Sequence, residues 1–170
     1  ELSRLLGMEV TTLLGVDVMK NYRVLLDYTS EKVFFTEGEL QGFGERMEFT
    51  QFMGIPIIEL NVDGNMGRFF LDTGAKLSYL KETLTAKYKS VRTERDFYPN
   101  VGEFEVPVFD IEAKIGDEPL EVSFGTLPKL LQGLLNMADV DGIIGYDLFR
   151  CFKVGLNLEN KYLDYALTGN

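Results

Sequence analysis

The segment Phe69-Phe70-Leu71-Asp72-Thr73-Gly74-Ala75 places one carboxylate directly after three large apolar residues. Such a run is typical of a buried strand, and the Asp-Thr-Gly sequence after it predicts a tight turn. An ionised carboxylate at the end of a buried strand is unfavourable unless it is paired or hydrogen-bonded. We therefore predict that Asp72 has a polar partner and carries the chemistry of the protein.

The composition leaves few other catalytic groups. The 170 residues contain no histidine and one cysteine, Cys151. Ser-His-Asp triads, Cys-His dyads and histidine-ligated metals all need an imidazole, so carboxylate, hydroxyl or lysine chemistry remains. We predict no metal and no cofactor. Cys151 lies in the amphipathic segment 148–152 and is interpreted as a core residue.

The formal charge of -10 indicates which partners the chain avoids. An acidic chain without a basic run repels phosphate backbones, so we predict no nucleic-acid partner. No uncharged run approaches the roughly 18 residues of a membrane span, so we predict no membrane-spanning segment. The sequence begins at Glu1 without methionine, which indicates a trimmed or processed polypeptide and leaves the compartment, cytoplasmic or exported, open.

An internal repeat links the two ends of the chain. Residues 5–24 match residues 134–154, with Ala138 as the one inserted residue. Each copy predicts a short helix, an apolar pair closed by glycine, a helical turn opened by aspartate, and a hairpin. The two aspartates, Asp17 and Asp147, are interpreted as helix caps.

The residues between the copies predict a mainly β module with short helices. The strand candidates are Ile55–Val62, Arg68–Leu71, Ser78–Leu80, Phe104–Ile115 and Leu120–Phe124, and the leucines of Leu127–Met137 have helical spacing. The glycine-rich segment 35–49 predicts a linker, which divides the chain into residues 1–42 and a complete lobe at 43–170. The leading residues have too little apolar surface for a core of their own and should dock on another surface.

These motifs resemble the pepsin and retropepsin superfamily of aspartic proteases over residues 46–165. In that family an Asp-Thr-Gly turn is followed, later in each lobe, by an apolar-apolar-glycine strand threaded behind it and by a short helix. Here Phe70–Ala75 matches the first motif and Ile143-Ile144-Gly145 the second. The resemblance implies a retropepsin-like acid protease barrel. It also implies that residues 1–42 are the closing section of a preceding lobe.

The resemblance implies an aspartic endopeptidase that acts on peptide or protein substrates. Two carboxylates must face one water, because the ionised one takes a proton while the protonated one polarises the scissile carbonyl. The chain contains one such turn, so the partner of Asp72 would come from a homodimer mate or from a complementary lobe. Which of these supplies it stays open at this point.

The resemblance also implies roles for the residues that follow Asp72. Thr73 would hydrogen-bond across the interface between the two turns, and Gly74 would leave room beside the carboxylates. Ala75, expected at the substrate cleft, matches retropepsins, whereas pepsin-like lobes more often have serine. The missing serine hydroxyl implies a less acidic working pH than that of pepsin.

Three further residues are assigned less directly. Ser78 is a candidate for the substrate cleft that could equally brace the turn or be a solvated strand residue. A hairpin over Asp96–Glu103, with Tyr98 near its tip, is the candidate flap and substrate contact, although an ordinary surface turn is nearly as consistent with the sequence. Lys76 is expected to be a solvated charge at the rim.

Two alternatives to proteolysis remain open because a fold does not establish a function. The chain could be a catalytically inactive binding or assembly module of the same fold. It could also be a regulatory or inhibitor-like partner of a separate lobe.

Overall fold

The computed structural model describes residues 3–4, 7–40, 43–98 and 101–168. The strands in this part of the chain are β1 (Arg23–Asp27), β2 (Lys32–Thr36), β3 (Glu45–Glu48), β4 (Thr50–Phe52), β5 (Ile55–Val62), β6 (Asn65–Leu71), β7 (Ser78–Leu80), β8 (Arg92–Tyr98), β9 (Gly102–Asp110), β10 (Ala113–Ile115), β11 (Glu118–Leu120), β12 (Ser123–Thr126), β13 (Gly142–Ile144), β14 (Phe152–Asn157) and β15 (Tyr162–Leu167). The helices are α1 (Val16–Met19), α2 (Glu82–Thr85), α3 (Lys129–Met137) and α4 (Tyr146–Cys151). The predicted fold class, mainly β with short helices, is confirmed.

The larger of two sheets, the barrel sheet, has the strand order β11-β10-β5-β6-β13-β7-β12-β9-β8, with β4 paired to β5. Its central strands are buried on both faces, which explains the unbroken apolar run before Asp72. Side chains alternate along β6, so Phe69 and Leu71 enter the main core while Phe70 faces a second core. Helix α3 contributes Leu135 to the second core.

Two predicted strands are each divided between two strands of the structure. The segment 104–115 forms the end of β9 and then β10, and the segment 120–124 ends β11 and begins β12. At both breaks the chain changes neighbours, because β10 and β11 pair with each other while β9 pairs with β8 and β12. The pattern of apolar residues in a sequence does not indicate where the chain changes its strand-pairing partner.

Strand β13 lies between β6 and β7, parallel to β6 and antiparallel to β7. Ile143 is opposite Phe70, and Ile144 is opposite Leu71. A side chain at Gly142 could not fit, since its Cβ would lie 2.0 Å from the Tyr79 carbonyl oxygen. The prediction that the Ile-Ile-Gly strand threads behind the Asp-Thr-Gly turn is confirmed.

The smaller sheet, which we call the shared sheet, has the order β2-β1-β14-β15-β3 and joins both ends of the repeat. Residues 23–36 form the leading hairpin β1–β2, which pairs through β1 with β14. Val24 and Leu26 of β1 are buried in the main core. The leading residues therefore dock on the lobe, while the domain boundary at residue 42 stays a prediction.

The leading hairpin and the closing hairpin β14–β15 have the same turn. The carboxylate of Asp27 accepts a hydrogen bond from Ser30 N at 3.1 Å, and the side-chain oxygen of Asn157 accepts one from Asn160 N at 2.9 Å. Each turn also has one residue with positive φ, 54° at Glu31 and 56° at Lys161. The sequence repeat is thus a structural repeat as well.

A local two-fold axis relates the two hairpins. In the antiparallel pair β1–β14, Leu25 lies opposite Gly155, the residue that occupies the same position in the second copy. The edge-to-face ring pairs Tyr22–Phe35 and Phe152–Tyr165 also match, with centroids 5.8 Å and 5.7 Å apart. The axis therefore passes through the centre of the shared sheet.

Cys151 lies at the end of α4 and is partly buried against the main core. Burial raises the pKa of its thiol, which keeps it protonated and unreactive. This placement confirms its interpretation as a packing residue. In the described part of the chain, no helix has the length and apolar character required to cross a membrane.

An ion pair joins the two copies of the repeat, since Lys153 Nζ donates to Asp27 Oδ2 at 2.9 Å. This hydrogen bond lowers the pKa of Asp27. We expect Asp27→Asn to reduce the free energy of unfolding by up to about 1 kcal/mol at pH 7, because asparagine keeps the turn bond, as Asn157 shows, and loses only the ion pair. Urea denaturation measures the loss.

The pH dependence of that loss follows from the lowered pKa. The ionised Asp27 adds to the free energy of unfolding at pH values above its unfolded-state pKa, about 3.9. This contribution disappears as the pH falls through the lower pKa that Asp27 has in the folded chain. The difference in the free energy of unfolding between Asp27→Asn and the parent chain should therefore become smaller as the pH falls below about 4. If the difference in the free energy of unfolding were as large below pH 4 as at pH 7, the stabilising role of the Asp27–Lys153 ion pair would be contradicted.

The two-fold axis relates Asp27 to Asn157 and Lys153 to Arg23. Arg23 and Asn157 lie opposite each other in the pairing of β1 with β14. Arg23 Nε and Asn157 Nδ2 are both buried donors without a hydrogen-bond partner among the described residues. We expect Asn157→Asp to raise the free energy of unfolding by about 1 kcal/mol at neutral pH, because a second carboxylate oxygen can accept from Arg23. A lower urea midpoint in the variant would contradict the expectation.

Candidate active site

The turn after β6 holds the Asp72 carboxylate through backbone hydrogen bonds. Asp72 N donates to the Ile144 carbonyl oxygen at 3.0 Å, which ties the start of the turn to β13. Gly74 N donates to Asp72 Oδ1 at 2.8 Å, and Ala75 N donates to the Asp72 carbonyl oxygen at 3.3 Å. The orientation of the carboxylate therefore depends on main-chain geometry on both sides of the turn.

Asp72, Thr73 and Gly74 are all exposed to solvent. A hollow of about 310 Å³ lies at the turn, lined by Thr73, Gly74, Ala75, Lys76 and Tyr146. Among the described residues no acidic side chain lines it, and Asp72 itself is not part of its lining. The second carboxylate, expected from a dimer mate or a complementary lobe, stays a prediction, and within the described residues the Asp72 carboxylate accepts a hydrogen bond from the Gly74 amide.

The start of α4 lies directly against the turn. Tyr146 N donates to the Ala75 carbonyl oxygen at 2.9 Å. A Cβ atom at Gly145 would lie 2.4 Å from that oxygen, so only glycine fits at the end of the Ile-Ile-Gly motif. This close approach explains why the motif ends in glycine and why a helix follows it at once.

Ser78, predicted for the substrate cleft, is fully buried. Its hydroxyl donates to Asp147 Oδ2 at 2.8 Å and accepts from Gly145 N at 3.2 Å. These bonds join β7 to the start of α4, so Ser78 braces the turn and has no exposed surface that could contact a substrate. The interpretation of Asp147 as a helix cap is wrong, because its carboxylate binds the Ser78 hydroxyl and Arg150 instead.

The hairpin predicted to be a flap is formed by β8 and β9. Tyr98 lies opposite Gly102 at its end and is 40% exposed. The tip residues Pro99 and Asn100 lie outside the described residues. The hairpin itself is confirmed, whereas the role of a flap and the contact of Tyr98 with substrate stay predictions.

Two side-chain contacts tie β8 to the strand that follows the turn. Lys76, an exposed rim residue as predicted, lies 3.5 Å from Glu94 Oε2. The hydroxyl of Tyr79 donates to Asp96 Oδ2. Burial, together with this bond, raises the pKa of Tyr79, so its hydroxyl stays protonated and remains a donor. Strand β8 is therefore anchored next to the Asp72 turn.

Sequence analysis missed two tyrosines at the turn. The hydroxyl of Tyr28, which follows β1, donates to the Thr73 carbonyl oxygen at 3.2 Å. Its ring stacks on Phe149 at 5.1 Å and lies 6.0 Å from Tyr146. Burial, and after it the charge of Asp72, raises the pKa of Tyr28. Tyr146 could have been found as the residue after Ile-Ile-Gly, but no local pattern indicates Tyr28.

Comparisons with known proteins find a weak structural likeness. No protein-family model matches the sequence, and no curated protein matches it. Among solved structures, the simian foamy virus (mac) protease, determined in solution, is similar with 15% identity and a TM-score of 0.40. The match covers 52% of this chain and 86% of that chain. The mainly β fold with short helices is described by the chain's own strand topology around β6, β7 and β13.

Replacement of Asp72 should change the titration of Tyr28. We expect Asp72→Asn to lower the pKa of Tyr28, because a negative charge near the phenol is removed, but not to its ordinary value, because burial remains. ¹³C NMR of chains labelled at the tyrosine ζ-carbon measures this, with Tyr28→Phe to assign the resonance. Asp117→Asn, an exposed turn residue, is the matched control and should leave the Tyr28 titration unchanged. Identical Tyr28 titrations in Asp72→Asn and the parent chain would contradict the contact.

Proposed function

We propose that this chain is one lobe of an aspartic-type endopeptidase. The observation that carries the proposal is the position of the Asp72 carboxylate, which is exposed at the end of a strand buried on both faces and oriented by the Gly74 amide. An exposed carboxylate held in this way can bind a water and accept its proton. The absence of histidine removes the common alternative bases.

The proposed reaction needs a second carboxylate that is protonated when Asp72 is ionised. Two carboxylates that face one water share a proton, because like charges at short distance cannot both ionise cheaply. The ionised carboxylate takes a proton from water as the water oxygen adds to the peptide carbonyl carbon. The other gives its proton to the carbonyl oxygen. Proton transfer to the amide nitrogen then breaks the C–N bond and releases an acid and an amine.

The neighbouring residues have supporting roles in this proposal. Thr73 would hydrogen-bond to the turn that carries the second carboxylate. Gly74 keeps the space beside Asp72 open, since even a Cβ there would lie 3.3 Å from Asp72 Oδ1. Ala75 would line the cleft at the hollow. Ser78 acts indirectly, by holding β7 against α4.

An extended peptide is the substrate form that suits this site. The hairpin β8–β9 ends the barrel sheet at β8, whose outer edge has no strand partner in the described part of the chain. Extended peptides bind such surfaces through main-chain hydrogen bonds, with side chains in alternate pockets. Tyr98, at the exposed end of β8, would contact the substrate.

A second candidate function is a binding or assembly module without catalysis. It is favoured by one observation, that no acidic side chain lines the hollow beside Asp72 in the described single chain. The two candidates differ in what Asp72 does. Removal of the Asp72 charge would stop peptide cleavage if the protein is an endopeptidase, whereas a binding module has no cleavage to lose.

The test uses the protein purified from the cells that make it, so that any partner is retained. We expect Asp72→Asn to lower the rate of cleavage of an unfolded protein substrate by about 10²–10⁴-fold, because general base catalysis is lost. Asp117→Asn, in an exposed turn, is the control and should cleave at the parent rate. Hydroxylamine should trap no acyl intermediate, because water attacks the carbonyl directly.

Two results would overturn the proposal. One is full activity in Asp72→Asn. The other is an assembly of the unaltered protein that binds extended peptides but cleaves none of them between about pH 3 and pH 7, which would instead support the binding module.

A further inference from the structure

We propose that a cavity at the turn end of the β5–β6 hairpin binds a small organic cation, a primary ammonium group carried on a branched apolar chain. The cavity has a volume of about 150 Å³ and lies between this hairpin, the segment that contains α2, and Asp141, the residue before β13. We call it the hairpin cavity. The inference goes beyond the proposed function and does not depend on it.

The hairpin cavity is separate from the Asp72 turn. Gly67 lines the cavity near the start of β6, whereas Asp72 follows the end of that strand. An extended strand advances about 3.3 Å per residue, so the two positions are roughly 17 Å apart along β6. Among the described residues, the lining of the hairpin cavity and that of the hollow at the Asp72 turn share no member. A ligand in the hairpin cavity would therefore leave the Asp72 turn accessible.

Much of the hairpin cavity is apolar. Phe69 and Leu80, each 1% exposed, belong to the main core and form part of the lining. Leu84 and Met66, 40% and 64% exposed, form a part of the lining that reaches the solvent. An engineered apolar cavity of about 150 Å³ in another protein takes up benzene. The hairpin cavity is therefore of the size needed for a branched chain of about five carbons.

Gly67 leaves space between the apolar lining and a carboxylate. A Cβ atom at this position would lie 3.0 Å from the ring of Phe69 and 3.1 Å from Asp141 Oδ2. The aromatic ring and the carboxylate thus border the same space, which only a residue without a side chain leaves open. A ligand that enters it would contact an apolar surface and a negative charge together.

The carboxylate of Asp141 has no cationic side chain paired with it. Its Oδ2 atom accepts a hydrogen bond from Arg68 N at 3.0 Å, and its Oδ1 atom accepts none from the described residues. The guanidinium of Arg68 binds Asp139 instead, with Nη1 at 3.0 Å from Asp139 Oδ2. Because no described lysine or arginine forms an ion pair with Asp141, its charge is available to a ligand.

The remaining charged groups of the hairpin cavity neutralise each other. Asp63 Oδ2 accepts hydrogen bonds from Lys87 Nζ and from the hydroxyl of Tyr88. These bonds join the turn of the hairpin to the segment after α2 and so enclose one side of the cavity. With Lys87 paired to Asp63, the charge of Asp141 makes the cavity negative overall, which favours a cation over a neutral molecule or an anion.

An ammonium group on a branched apolar chain matches both parts of the cavity. Its hydrocarbon part would displace water from Phe69, Leu80 and Leu84, and its N–H groups would donate to Asp141 Oδ1. Two kinds of molecule carry this chemistry, a small free amine and the N-terminal residue of a peptide. The experiment below distinguishes them.

The experiment titrates the ¹⁵N-labelled chain at pH 7 with 3-methylbutylamine and, separately, with 3-methylbutan-1-ol, its neutral counterpart. The amide NMR shifts of Gly67, Leu84 and Asp141 report binding. We expect saturable shifts at these residues and an affinity for the amine at least about fivefold higher than for the alcohol, because a hydrogen bond to a charged group is the stronger one. Equal affinities, or no saturable shift at these amides, would overturn the proposal.

Two carboxylate variants test the role of Asp141. Asp141→Asn keeps an acceptor for Arg68 N but loses the charge, so the amine should bind at least about fivefold more weakly while the alcohol binds as before. Asp139→Asn removes a neighbouring carboxylate that does not line the cavity, and as the matched control it should keep both affinities. An equal loss of amine binding in the two variants would contradict the assignment of Asp141.

A third variant tests the position of the ligand. Gly67→Ala should weaken the binding of the amine and of the alcohol alike, because the added methyl group occupies the space between Phe69 and Asp141. Its urea midpoint reports whether the fold is kept, and the Asp141→Asn comparison does not depend on it. Unchanged binding of both ligands by Gly67→Ala would place the ligand elsewhere and overturn the proposal.

A peptide titration identifies the source of the ammonium group. Leucyl-glycyl-glycinamide is compared with its N-acetylated form, which has no ammonium group. Binding of the unmodified peptide at least as tight as that of the amine, and lost on acetylation, would identify the N-terminus of a peptide as the ligand. Binding of 3-methylbutylamine without binding of either peptide would identify a small free amine. Equal binding of the two peptides would overturn the requirement for an ammonium group.

Discussion

The insertion of β13 between β6 and β7 is the constraint on which the rest of the structure depends. It fixes the Asp72 turn from behind through the bond from Asp72 N to the Ile144 carbonyl oxygen. It also brings the first turn of α4 against Ala75, where only glycine at position 145 avoids a clash. These contacts hold the Asp72 turn through main-chain atoms.

The chain contains the same structural unit in two environments. The closing section is packed under its own lobe, whereas the leading section is packed along β1 and more loosely through Val16, Met19, Tyr22 and Tyr28. Five apolar side chains of the leading section, those of Leu13, Leu14, Val18, Val33 and Phe35, are therefore left exposed in the described chain.

Sequence reasoning was most successful where a local pattern has one structural solution. Strands β5 and β7 match their predicted bounds, because their apolar runs are bounded by turn residues. It was less successful where side chains meet across the fold. Ser78 is buried under the turn and Asp147 binds Ser78 instead of capping a helix, since the two residues are brought together only by β13. Tyr28 reaches Thr73 for the same kind of reason, through the pairing of β1 with β14.

What the amino-acid order determined by itself is the set of reactive groups and their local frame: a chain without histidine, an aspartate after a buried strand, a second motif to support it, and a duplicated ending. These features are short-range, and each is encoded by neighbouring residues. Tertiary structure alone decided that the carboxylate is exposed, that the two endings are related by a two-fold axis, and that one of them is left uncovered. Those facts depend on which strands pair over long separations, and the register of such pairs is set by packing of the whole core and not by any single segment.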